Sequence, residues 1–309
     1  MKKYMHFIHV AVFSTIISSN LSGQQLPNSS HFTESFAFWN PANTATGEHM
    51  IADGLIRKQW VGFNGAPATG IFSFQMPFLD SQMSGGAMLY FDQTGPVSKT
   101  GAKLNYSYKL KNFVKKYGQL SLGLSGSVQQ YSFNASGEVF NDVNDIRLNN
   151  ANVSSLFPAV GVGAFYLSST RMYKENVYYI GVAANQLLAS DVLIADADQT
   201  RTNHVFFSAG AKFFNFNMMI EPTLSANLVS PDLLDALFSL KMEMKNSFWA
   251  GLGYSNTGLA AVQGGFILDK FGSRDGQLRV GLLSSYGLTG NASVFGPSVE
   301  LYTAYHISR

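Results

Sequence analysis

Hydrophobic and polar positions alternate with a period of two along much of the chain. In "QLSLGLSGSVQQ", Leu120, Leu122, Leu124 and Val128 fall on one face, and Gln119, Ser121, Gly123, Ser125, Ser127 and Gln129 on the other. Successive side chains of a strand point to opposite faces, so this stretch reads as a strand that is apolar on one side only. "KTGAKLNYSYKL" repeats the pattern, with Ala102, Leu104, Tyr106, Tyr108 and Leu110 opposing Lys99, Gly101, Lys103, Asn105, Ser107 and Lys109. "NMMIEPTLSANL" does so again, with Met218, Ile220, Leu224, Ala226 and Leu228 opposing Asn217, Glu221, Thr223, Ser225 and Asn227. Similar runs recur at hairpin spacing to the C-terminus and predict about fourteen strands, among them 98–110, 118–131 and 157–167. After residue 24 no apolar run reaches the roughly 18 residues of a transmembrane helix.

An even number of antiparallel strands, each about ten residues long and apolar on one face, is the pattern of a transmembrane barrel. Only a helix or a closed barrel pairs every backbone group in lipid. The expected fold is therefore all-β: a transmembrane, antiparallel, up-and-down β-barrel over residues 48–309. A soluble sandwich alternates too, but it solvates its outer face with charge, and charged residues are only 13% of this chain against 14% aromatic and 46% hydrophobic. Aromatic pairs near strand ends, Phe165 and Tyr166, Tyr178 and Tyr179, Tyr302 and Tyr305, read as interfacial girdles. The two longest gaps, about 132–156 and 187–202, fall in the fifth and seventh connections, which lie outside the cell if both termini are periplasmic.

The opening "MKKYMHFIHVAVFSTIISSNLSGQQ" places Lys2 and Lys3 before an apolar stretch from Tyr4 to Ile17 and then small and polar residues. This is the layout of a secretory signal peptide, assigned to residues 1–23. Residues 24–47 contain Pro27, Pro41 and many Ser, Asn and Thr, and form an N-terminal periplasmic segment under or inside the barrel. A signal peptide followed by a barrel implies the outer membrane of a Gram-negative bacterium, with outer-membrane lipids around the wall.

Charge and candidate chemistry narrow the picture further. Lys and Arg number 21 and Asp and Glu 19, a net charge of +2 with no long run of one sign, so the sequence points to no nucleic acid and no acidic partner. Cysteine is absent, which excludes a disulfide framework and thiol chemistry. Outside the signal, the histidines are His31, His49, His204 and His306, none beside a recognisable nucleophile, and neither an enzyme nor a cofactor is expected. The G-x-G runs at Gly161 and Gly251 sit in alternating strands and read as lumen-facing or close-packed glycine rather than a phosphate cradle. "NDVNDIRLNN", residues 141–150, gathers side-chain oxygens without the bidentate Glu of a calcium loop and reads as a polar loop. Lys103, Lys109, Glu221, Lys241, Glu243, Arg279 and Glu300 fall on the lumen face, which suits internal ion pairing and a mildly selective pore equally.

"RKQWVGFNGAP" (residues 57–67) reads as the top of the first hairpin, with Arg57 and Gln59 ending the strand, Trp60 at the interface, and Gly62, Asn64, Gly65 and Pro67 turning the chain. Together with "FAFWNPANTAT" (36–46), which carries Asn40 and Pro41, and "TGPVSKTGAKLNYSYKLK", which carries Gly95 and Pro96, this string resembles the opening of the PorP/SprF family of the type IX secretion system. "IEPTLSANL" and the terminal "GPSVELYTAYHI" are also similar, so the resemblance covers nearly all of the mature chain. It implies an outer-membrane barrel without enzymatic activity, working with the machinery that exports large proteins with C-terminal signal domains. The partners it implies are periplasmic ring and translocon proteins and, in some members, a dedicated secreted cargo or gliding adhesin. Asn40, Pro41, Arg57, Gln59, Trp60, Gly62, Gly65, Pro67, Gly95 and Pro96 are its family-motif positions, structural or partner-contacting. A small-solute, porin-like channel is the alternative suggested by the mixed-charge lumen.

Overall fold

The structure, a computed structural model, describes residues 34, 36–134, 152–187, 191–194, 197–200, 202–230, 233–272, 276–289 and 296–308. A short helix α1 (Phe36–Trp39) and a 3-10 turn (Pro41–Asn43) precede the strands. These are β1 (His49–Lys58), β2 (Ala68–Phe78), β3 (Met83–Thr94), β4 (Val97–Lys111), β5 (Gln119–Asn134), β6 (Asn152–Leu167) and β7 (Val177–Asn185). After a small hairpin, β8 (Asp191–Ile194) and β9 (Ala197–Thr200), come β10 (His204–Asn215), β11 (Met218–Ser230) and β12 (Leu233–Met244). The last four are β13 (Phe248–Ser255), β14 (Leu259–Asp269), β15 (Gly276–Gly287) and β16 (Ser298–Ser308).

Fourteen of these strands, all but β8 and β9, close into one antiparallel barrel in which β1 pairs with β16. The period-two reading of the sequence holds along the wall. On β5, Leu122, Leu124 and Val128 are exposed to the outside while Gln119, Ser121, Ser125 and Gln129 are buried inside. Leu89, Leu104, Leu252 and Phe266 are among many large apolar side chains on the outer surface, as a lipid-facing band requires.

Three differences from the sequence reading have physical causes. β5 and β6 run further than expected, pairing up to Asn134 with Asn152, because at that end the outer face turns polar while Tyr131 and Phe133 take the inner phase, so the apolar-out pattern is lost; Gln130 donates to Ser154 Oγ at 2.7 Å on the outside of the hairpin. The 187–202 gap carries the β8–β9 hairpin, a two-stranded sheet of its own. The aromatic pairs do not all belong to girdles. Phe165, Tyr179 and Tyr302 are buried in the lumen, because residues at odd spacing on a strand must face opposite ways, while Tyr178 is exposed outside. The loop at 141–150 lies outside the described residues, as does His31.

Small eight-stranded barrels are filled by the side chains of their own wall, and the enclosed space grows with strand number. At fourteen strands this wall needs additional filling, and the chain supplies it from its N-terminal segment.

Candidate functional site

Residues 36–47 lie within the lumen as a plug. Their local shape follows from a few residues. Asn40 is in extended conformation (φ −129°, ψ 109°), and its Oδ1 accepts from the Ala42 backbone N–H at 2.9 Å, capping a turn whose first residue, Pro41, has its φ already set. Thr44 Oγ1 donates back to the Pro41 carbonyl at 2.8 Å. Trp39 is 1% exposed, and Asn40, Ala42, Thr44 and Ala45 are wholly buried.

One half of the wall, β2 to β7, is made to hold this backbone. Plug carbonyls that lie outside regular helix ladders need donors, and lumen side chains provide them. Asn105 Nδ2 donates to the Ala37 carbonyl at 2.8 Å, Lys103 Nζ to that of Phe38 at 2.7 Å, and Asn185 Nδ2 to that of Trp39 at 2.7 Å. Ser107 donates to Ala42 O, Lys109 Nζ to Ala45 O, and Gln119 Nε2 to Thr46 O, while Gln75 Oε1 accepts from the Ala45 N–H. In return Asn40 Nδ2 donates to the Ala164 carbonyl of β6 at 3.1 Å. The plug meets the wall so closely that a Cβ at Gly123 would overlap the Ala42 backbone, and one at Gly163 the Asn40 amide. Apolar contacts cross the lumen at this level: Phe38 packs edge-on against Tyr90 at 5.3 Å, and Trp39 against Phe206 of β10 at 6.3 Å. Ile71, Met88, Ala183 and Leu237 complete that cluster. At the height of the plug the interior is a packed core.

The other half, β11 to β16, carries paired charge. Lys241 lies 3.2 Å from Glu221 and 2.6 Å from Glu34, the residue that starts the plug segment. Arg279 joins Glu243 at 2.6 Å and Glu34 at 3.7 Å, and stacks over Trp249 at 4.9 Å. Arg57 of β1 faces Glu300, its register partner on β16, at 3.5 Å. The seven lumen-face charges of the sequence reading, Lys103, Lys109, Glu221, Lys241, Glu243, Arg279 and Glu300, are therefore all buried inside, but in two separate roles. Lys103 and Lys109 bind plug carbonyls, and the other five belong to ion pairs.

Below the plug, toward the end of the barrel where β1 begins and β16 finishes, lies a cavity of about 920 Å³. Phe36, Phe165, Tyr173, Tyr179 and Phe214 give it aromatic walls; Glu34, Glu221, Lys241, Glu243 and Arg279 form its charged floor. In the β6–β7 connection burial pushes the Tyr173 hydroxyl up to about 12, with the Glu243 carboxylate adding to the rise. His49 and His306 also line it, with ring centroids 6.4 Å apart. His204 is buried at the start of β10, away from both.

The family-motif positions divide between two places. Asn40 and Pro41 are in the plug. Gln59, Trp60, Gly62, Gly65, Pro67, Gly95 and Pro96 form a rim at the end opposite the termini, with Arg57 just beneath it. There the Gln59 N–H donates to the Pro67 carbonyl at 2.9 Å, the Gly95 N–H to Gly65 O at 3.0 Å, and the Val61 N–H to Pro297 O at 2.8 Å, so the first hairpin is tied to both neighbours. Gly62 (φ +107°) and Gly65 (φ +69°) take left-handed conformations that side chains disfavour, which explains why glycine stands at both. Sequence reasoning missed the plug holders Asn105, Asn185, Gln75 and Gln119. Their signal was present: amide side chains at lumen phase, more than a water-filled wall requires.

A closed transmembrane β-barrel of the outer-membrane kind, with its own N-terminal segment packed inside it, is the class that fold and site define. The chain belongs to the PorP/SprF family: the family described as "Type IX secretion system membrane protein PorP/SprF" matches residues 21–305. No curated protein matches it. Among solved structures it is similar in fold to the CymD monoaromatic hydrocarbon channel, at 12% identity and a TM-score of 0.55 over 88% of this chain and 92% of that one. A FadL homologue from Pseudomonas aeruginosa is similar at 10% identity and a TM-score of 0.51, covering 93% of this chain and 95% of that one. At such identities the likeness is one of fold alone.

Proposed function

We propose that this protein is a noncatalytic outer-membrane component of type IX secretion that assists export or surface attachment of large proteins with C-terminal signal domains. Residues 1–23 are removed as a signal peptide, and the end of the barrel holding the termini faces the periplasm, where it meets ring or translocon proteins or a dedicated cargo. The observation that carries this reading, beside family membership, is the filled lumen. A barrel whose centre is a packed core supports a role in anchoring and contact more than in solute passage. The motif rim and the plug then serve as structure or as partner contacts, and gliding adhesins are one class of cargo.

The test is a quantitative comparison of secreted and cell-surface proteomes with and without the gene. Loss of one or a few large C-terminally tagged proteins marks a cargo-dedicated component, and loss of all of them a core one. An unchanged secretome overturns the proposal. The second reading, a small-solute channel, draws on the mixed-charge lumen; stable unitary conductance from the intact barrel in a planar bilayer would favour it.

A further inference from the structure

The net charge of +2 conceals a local excess of basic residues among the described residues at one end of the barrel. The terminal end is basic. Lys115 and Lys116 stand in the β4–β5 turn, Lys174 in the β6–β7 turn, Lys245 in the β12–β13 turn and Lys270 after β14, all exposed. At the same end the turn tips carry apolar side chains where a periplasmic surface would normally be polar: Phe216 is 94% exposed, Val114 79%, and Leu79 and Phe271 are exposed too.

These features surround the mouth of the 920 Å³ cavity, and four cations, Lys111, Arg171, Lys174 and Lys212, are part of its lining. The floor anions are neutralised by Lys241, Arg279 and Lys212. Arg171 shares its charge with Glu175 at 3.2 Å, Lys111 donates to the Asp80 carbonyl, and Glu48 is the one further carboxylate of the lining, so with Lys212 assigned to the floor, Lys111 and Lys174 leave the mouth a surplus of positive charge over aromatic walls. We propose that this end binds an acidic polypeptide segment, its carboxylates on the basic mouth and its apolar side chains against Phe36, Tyr173 and Phe214. Lipid headgroups do not account for the arrangement, because the four mouth cations line the inside of the wall and the bilayer lies outside it. An inorganic anion does not use aromatic walls. The inference deepens the proposed export role by stating the chemistry of its partner.

The test titrates purified full-length barrel in neutral detergent with a fluorescein-labelled peptide of alternating Glu and Phe, read by anisotropy, against a Lys-Phe peptide of equal length. The acidic peptide is expected to bind, to weaken with added salt, and to lose about tenfold or more in affinity in a Lys111→Glu, Arg171→Glu, Lys174→Glu variant. Lys58→Glu, at the other end, leaves binding unchanged. All three mouth positions are at the rim, and heat-modifiable gel migration verifies that the variant barrel is folded. Equal binding of both peptides, or no loss in the triple variant, overturns the proposal. So does a triple variant that loses only its binding to phosphatidylglycerol vesicles, which would assign the cations to lipid. The assay uses the isolated barrel, so its failure is distinct from an unchanged secretome.

Discussion

The two halves of the lumen solve the same problem in different ways. Strands β2 to β7 meet a polypeptide backbone with neutral amides and two lysines, each aimed at a main-chain group. Strands β11 to β16 satisfy themselves, pairing Lys241 with Glu221 and Arg279 with Glu243 across the wall. The first half is incomplete without the plug; the second needs it only for Glu34. A wall whose amides and lysines point at main-chain groups of the plug is shaped for a guest, whereas a wall that pairs most of its charges with itself is nearly finished in its absence. The plug is thus clamped by one half and tethered to the other at a single carboxylate.

The largest effect should come from removing the guest. Deleting residues 34–47 exposes Lys103, Lys109 and the amides around them to water and leaves the Lys241–Glu221 and Arg279–Glu243 pairs standing, so the lumen becomes a polar passage. Planar-bilayer recording should give stable unitary conductance from the deletion variant and silence from the intact chain. If both are silent, the plug is not the barrier and the two-halves account fails at its first step. A smaller version of the same break is Gly123→Val, whose side chain would occupy the position of the Ala42 backbone. The chain has no cysteine, so an Ala42→Cys label site is unique. A membrane-impermeant maleimide should modify that site slowly in the otherwise native barrel and quickly in the Gly123→Val background.

Two lysines sharpen the comparison by stability. Lys241→Met leaves Glu221 and Glu34 buried beside each other with Lys212 and Arg279 as remaining partners, and removal of one member of a buried ion pair costs about 3 kcal/mol or more. Lys103→Met loses donors to the Phe38 carbonyl and to Asn185, both neutral, at about 1–3 kcal/mol. Urea titration of folded barrel in detergent should therefore give the lower midpoint for Lys241→Met. The reverse order would mean that the plug, not the ion-pair half, carries most of the interior's stability.

The wall was legible from the sequence and the interior only in part. Alternation in "QLSLGLSGSVQQ" fixes which residues face lipid because a one-residue slip would turn every leucine inward. The inward list, including Lys103, Glu221 and Arg279, follows from the same phase. What each inward residue touches does not follow, because contacts across a lumen join positions far apart in the chain: Lys241 meets Glu34, and Asn185 meets Trp39. The same limit misled the reading of Phe165 and Tyr179, whose aromatic type suggested an interface while their phase placed them inside against Phe36 and each other. The basic terminal end was also hidden, since adding all charges together averages over the whole chain; assigning each described turn to an end recovers it.

Arg57 and Glu300 offer the smallest and most selective test, because their pair joins the charged half to β1 at the closing seam. They face each other where β1 and β16 close the barrel, far in sequence but adjacent in register, and both side chains are fully enclosed. Arg57→Lys keeps the charge and loses the planar guanidinium, so the ion pair weakens while the closure hydrogen bonds of the seam persist. The expected cost is about 1 kcal/mol, with conductance and plug labelling unchanged. Had the motif arginine been placed there to hold the plug, the lysine variant would label faster at Ala42→Cys. An unchanged labelling rate with a small fall in urea midpoint assigns Arg57 to barrel closure, and locates the reason for that motif position at the seam rather than in the lumen's guest.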